Sequence, residues 1–295
     1  MPARTTTSRP TTSPTTSSRT ASARRAVVLL HRLLWLVFIV QAVASPFVDL
    51  PYPYGAGWLP AVAAVIIGTG LSVSARRQVE ATPRATVEVD PPVTGRWSAL
   101  NSPADRTPSH GTHQYGQTYA IDIVAEDGTR PRPAFAWLWP VARRAEDFPA
   151  FDAPLLAVAD ATVVHAEDGL RDHLSRNSLL GVLYLMLVES GARGLAGARR
   201  VTGNHLVLDL GGGTYAMYAH LRRGSLAVRP GDRVRAGQEL ARCGNSGNST
   251  EPHVHFQLMD GPDLDTARGV PFTWRGVGVP RNGETFAVPG GVYSA

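Results

Sequence analysis

GNHLVLDLGGGTYAMYAHL (203–221) and VRPGDRVRAGQELARCGNSGNSTEPHVHFQL (228–258) decide the fold. Both consist of short apolar or alternating runs cut by Gly, Pro, Asn and Asp, the residues that make tight turns. His205–Leu210 and Thr214–His220 flank GGG at 211–213, Ser225–Val228 precedes Pro230-Gly231-Asp232, and GNSGNS (244–249) parts Glu239–Cys243 from Val254–Met259. Upstream, Leu155–Val158 and Ala161–Ala166 repeat the pattern. Many short strands joined by such turns predict an all-β core, an antiparallel sandwich or open barrel. One helix is inserted near 170–190, where Leu179, Leu180, Val182, Leu183 and Leu187 recur at helical spacing.

Outward from this core the composition changes. Residues 1–25 are a Ser/Thr/Arg tail too polar to offset its ordering entropy, and are expected to be disordered. Two apolar segments fill 26–77. The first, Ala26 to Val48, is interrupted by His31-Arg32; the second, Gly55 to Ser74, has the length of a bilayer-crossing helix. One or two transmembrane helices are expected. Arg24-Arg25 and Arg76-Arg77 flank a loop without basic residues, a pattern that places both ends in the cytoplasm. Ala42-Val43-Ala44 also resembles a leader cleavage site, which would leave the second span alone. Residues 78–100 read as a linker, 101–280 as the folded domain and 281–295 as a C-terminal tail.

Charge and composition exclude several functions. All 29 basic residues are arginine, so chemistry that requires lysine is absent. That removes Schiff bases and the biotinyl or lipoyl carriage otherwise suggested by VRPGDRVRAGQEL. Residues 1–77 carry +7 and 78–295 carry −2, so the basic balance belongs to the N-terminal segment and gives no support for nucleic-acid binding. A single cysteine, Cys243, rules out a disulfide framework within the chain and reads as a small buried hydrophobe.

Five of the nine histidines fall in three motifs: SHGTHQYGQTYAID (109–122), YAMYAHL (215–221) and PHVHF (252–256). On a strand, His253 and His255 project from one face, and Thr214, Ala216, Tyr218 and His220 form a second period-two set. Asp122 follows Ala120-Ile121, with His110 and His113 upstream on a Gly-containing loop. A catalytic zinc takes three protein ligands and keeps a position open. Two histidines and an aspartate meet that demand and leave imidazoles for proton transfer.

These motifs, in this order and with LLAVADATVVHA (155–166) ahead of them, resemble the M23 family of zinc metallopeptidases, the LytM or lysostaphin type, over roughly 105–275. The resemblance implies a LytM-like fold, Zn2+ as cofactor, and cleavage of peptidoglycan peptide stems or bridges. It implies His113, Asp122 and His255 as metal ligands, with His113 preferred to His110. His253 would be the general base, and His220 would steady the oxyanion or share the proton transfer. The sequence departs from the family pattern in its eight-residue His-to-Asp gap, in Ala161 and Glu251 at customary glycines, and in an insertion at 170–202. The expectation is a membrane-anchored endopeptidase facing the wall, against the arginine bias. The alternative is a non-catalytic scaffold that regulates other wall hydrolases.

Overall fold

A computed structural model describes residues 17–128 and 130–290. Two long helices come first: α1 (Ser17–Ala44) and α2 (Leu59–Ala81). The strands β1 (Val87–Val89), β2 (Gly95–Leu100), β3 (Ile121–Ala125), β4 (Pro154–Leu156) and β5 (Ala161–Glu167) follow. A helical insertion holds α3 (Leu179–Tyr184), a π-helical turn over 185–189, α4 (Ser190–Ala196) and α5 (Ala198–Thr202). The chain then forms β6 (His205–Asp209), β7 (Tyr215–Ala219), β8 (Arg233–Val234), β9 (Glu239–Arg242), β10 (Val254–Met259), β11 (Gly269–Val270), β12 (Phe272–Trp274) and β13 (Thr285–Val288).

One nine-stranded sheet runs β13-β2-β3-β10-β7-β6-β5-β8, with β11 also beside β10, and its pairings are antiparallel. Two small sheets, β4-β9 and the parallel pair β1-β12, cover one face. Between them lies the main core, where Ile121, Leu206, Tyr218 and Phe256 of the large sheet meet Leu155, Leu240 and Trp274. Burying each large side chain contributes roughly 1.5–3 kcal/mol. The Tyr218 hydroxyl ties the layers together. It donates to the Leu156 carbonyl (3.0 Å) and accepts from the Val158 N–H (3.1 Å).

The expected all-β core is present, with edges that differ from the sequence reading. β1 and β2 fall inside the expected 78–100 linker, and β13 lies inside the expected 281–295 tail. β2 and β13 pair with each other, each too short to stand out without its partner. Ser225–Val228 forms no strand; β8 is the two-residue strand at that edge. α1 begins at Ser17 and so takes in the end of the expected disordered tail; residues 1–16 lie outside the described residues.

His31-Arg32 does not break α1. His31 faces α2, where a Cβ on Gly68 would stand 3.0 Å from its Nε2, and Arg32 pairs with Asp265 of the β-domain at 2.9 Å. The polar pair is directed at protein on both sides. Ala61 and Ala64 are buried on α2, small residues of the kind that let helices approach closely. By length and composition α1, α2 and the span Leu179–Ala196 are each apolar enough to cross a membrane.

Candidate metal centre

The site is built on three neighbouring strands and one loop. In β10, Val254, Phe256 and Leu258 enter the main core, while His253, His255 and Gln257 alternate to the other face. The register sets Asp122 of β3 directly opposite His255, and Ala219 of β7 opposite it on the other side. Both side chains of the HxH motif therefore reach one cleft, as the period-two reading predicts.

Asp122 is the hub. Its Oδ1 lies 2.9 Å from His255 Nδ1 and 3.5 Å from His253 Nε2. Its Oδ2 is 3.0 Å from His110 Nε2 and accepts a hydrogen bond from Asn101 Nδ2 at 2.9 Å. Burial pushes this carboxyl up, but the His110 and His253 imidazoles outweigh it and hold the group well below the usual carboxylate range. His110, Asp122 and His255 each offer a donor atom within 4.8 Å of the other two.

The remaining ring nitrogens are held in place. His110 Nδ1 meets Ser109 Oγ at 3.0 Å, and His255 Nε2 meets Gln257 Oε1 at 2.9 Å. Such outer partners fix ring orientation and tautomer around a metal. Ser109 is itself fixed by donating to the Ala120 carbonyl at 2.6 Å.

His220 and His253 share a different arrangement. Each donates Nδ1–H to a backbone carbonyl, Ser246 and Glu251 respectively, both at 2.8 Å. A carbonyl can only accept, so Nε2 of each ring is left for the cleft. The ring centroids are 4.8 Å apart. Burial drives His220 well below its ordinary pKa, and the neighbouring imidazoles add to this. Burial also works against a charged His253, but the Asp122 carboxylate outweighs it and raises the pKa.

His220 does not continue the alternation of β7. Its φ of +61° turns the chain out of the strand after Ala219 and swings the ring to the cleft, away from the core that holds Tyr218. The GNSGNS loop supplies its carbonyl partner through a close approach: Cβ atoms on Gly203 and Gly247 would fall 2.6 Å and 2.4 Å from each other's segments. Both glycines have positive φ, so a side chain is disfavoured twice over.

His113, the expected first ligand, lies apart from this cluster. Its Nδ1 meets Thr118 Oγ1 at 3.1 Å, and burial and Arg76 of α2 lower its pKa, with Glu80 opposing them. The loop reverses at Gly111 (φ +72°) between the two histidines, so His110 is brought to Asp122 instead. Asn101, Gln257 and Arg106 were not anticipated. Gln257 extends the HxH period by one step; Asn101 and Arg106 lie in a loop without a repeating pattern. The cleft, about 310 Å³, is lined by Asn101, Arg106, His110, Asp122 and the three remaining histidines of the cluster, and on one side by Leu185 and Met186 of the insertion.

Parts of the chain are similar to known proteins. Residues 188–266 match the sequence model described as peptidase family M23. A 74-residue stretch is 39% identical to the glycyl-glycine endopeptidase ALE-1 of Staphylococcus capitis, covering 25% of this chain and 18% of that protein. A 57-residue stretch is 35% identical to the peptidoglycan DD-endopeptidase ShyA of Vibrio cholerae, covering 19% and 13% respectively. The chain thus spans less than a fifth of either relative. Among solved structures, the catalytic domain of lysostaphin from Staphylococcus simulans aligns at 21% identity and a TM-score of 0.30, over 54% of this chain and 76% of that one.

Residues 188–266 are thus similar to peptidase family M23. M23 peptidases are zinc enzymes. Two imidazoles and a carboxylate, each ring with its second nitrogen already engaged, suit that metal. The matched stretch holds His220, His253 and His255; His110 and Asp122 lie outside it and join the cluster through the fold.

Proposed function

We propose that the chain is a membrane-anchored zinc endopeptidase that hydrolyses peptide cross-links of peptidoglycan. The observation that carries this reading is the convergence of His110, Asp122, His255, His253 and His220 on one cleft. His110, Asp122 and His255 are the ligands in this assignment. When bound, zinc polarises the scissile carbonyl and lowers the pKa of water to about 7.

His253 is assigned as the acceptor of the attacking water's proton, since its Nδ1–H is already given to Glu251 and Nε2 faces Asp122. A neutral His220 has no hydrogen on Nε2. Its Nε2 lone pair, facing the cleft beside His253, is assigned a share in the proton transfer. Arg106 lines the same cleft and supplies positive charge for an acidic peptide stem.

α1 and α2 form the anchor, a hairpin that contacts the β-domain at one end through Arg32–Asp265 and through Gln114–Ser72. In this assignment the domain lies outside the cytoplasm, where peptidoglycan is. The arginines favour the opposite side, yet long domains translocate largely regardless of flanking charge.

The test is incubation of the full chain, with zinc, on defined muropeptides, with products read by mass. New fragments from one peptide bond, absent with Asp122→Ala, are the expected result. Intact muropeptides under zinc loading would overturn the reading in favour of a scaffold.

A further inference from the structure

The insertion and a nearby loop together leave a large apolar surface uncovered. In the loop, Trp137, Leu138 and Trp139 are 73%, 68% and 83% exposed. On the insertion, Leu183, Tyr184 and Leu187 are 45%, 51% and 78% exposed. The two are one unit. Leu179 N–H donates to the Ala136 carbonyl at 3.0 Å, and Ser178 Oγ donates to the Val141 carbonyl at 2.6 Å.

The opposite side of the insertion is fastened to the domain. Leu185 is fully buried, Glu189 pairs with Arg176 and Arg193, and Ser190 Oγ donates to Asn248 Oδ1 at 2.9 Å. A helix fixed along one face by ion pairs and hydrogen bonds does not cross a bilayer, despite its hydropathy. A strongly two-sided helix of this kind lies in the interface plane.

We propose that this face rests in the headgroup region of the bilayer entered by the α1–α2 hairpin, as a third membrane contact. The inference depends on the anchor reading above. Continuity is one argument for a lipid occupant. α4 ends at Gly197, where a Cβ would stand 3.2 Å from Arg32 Nη1 of α1, so the insertion runs up against the hairpin itself.

The tryptophans are the second argument, being side chains that favour the boundary between lipid and water. Leu185 and Met186 also line the cleft, so its mouth opens beside the bilayer and receives membrane-proximal peptides.

The experiment uses the full chain in phosphatidylethanolamine/phosphatidylglycerol vesicles. An environment-sensitive fluorophore is attached to Trp139→Cys, Leu187→Cys, Ile66→Cys of α2 or Arg229→Cys of an exposed turn. Cys243 is buried and stays unlabelled, which the unsubstituted chain checks. Nitroxide lipids should quench positions 139 and 187 several-fold more than position 229. Quenching at 66 but not at 139 or 187 would overturn the inference and leave the anchor standing. No quenching at 66 would remove the anchor and the inference with it. Blue-shifted, unquenched labels at 139 and 187 that cross-link between chains would assign the face to a second copy and overturn the lipid assignment.

Discussion

The two halves of the site are held by different means. Asp122, His255 and Gln257 sit on β3 and β10, with His253 immediately before β10, and antiparallel register and the pleat leave the strand positions no freedom of direction. His110 comes from a loop, and only hydrogen bonds such as Ser109 Oγ to the Ala120 carbonyl keep its ring over Asp122. His220 is intermediate, a strand terminus turned by positive φ. A sheet position thus assigns a side chain to a face, whereas a loop position must be held there bond by bond.

The largest effect comes from removing the hub shared by both halves. Asp122→Ala takes away the carboxylate bonded by His110 and His255, so zinc should be lost and hydrolysis should fall by several orders of magnitude. Elemental analysis and the muropeptide assay check this. Full zinc occupancy in the variant would show that the two halves do not meet at Asp122.

Next are the two rings assigned to proton traffic. His220→Ala and His253→Ala should retain zinc and lose about 10²–10⁴ in rate. Turnover near that of the parent chain, with zinc retained, would remove the substituted residue from the mechanism.

A smaller effect sharpens the account of the sheet half. Gln257→Leu leaves His255 Nε2 without its 2.9 Å partner, which should weaken zinc binding about 10–100-fold. A competitive chelator titration measures it, and excess zinc should restore activity. An unchanged affinity would mean that strand register alone orients His255.

How much was legible follows the same division. The HxH pair, Asp122 and the strand pattern of 203–221 and 254–259 could be read because period two and turn residues are local signals. β1, β2 and β13 were missed because their pairing partners are far away in the chain: Thr285 lies opposite Ser98. The family resemblance implies His113 rather than His110, but the reversal at Gly111, which brings His110 to Asp122, depends on backbone conformation that composition does not encode. For His220, strand alternation predicts the face that holds Tyr218, whereas its ring lies in the cleft because the positive φ ends the alternation.

In this assignment the loop half supplies His110 as the third zinc ligand. The most direct test is the zinc content of His110→Ala and His113→Ala, purified side by side and measured by elemental analysis. His110→Ala should lose the metal, while His113→Ala, which removes a ring in contact with Thr118, should keep one zinc per chain. Full occupancy in His110→Ala with loss in His113→Ala would contradict the assignment.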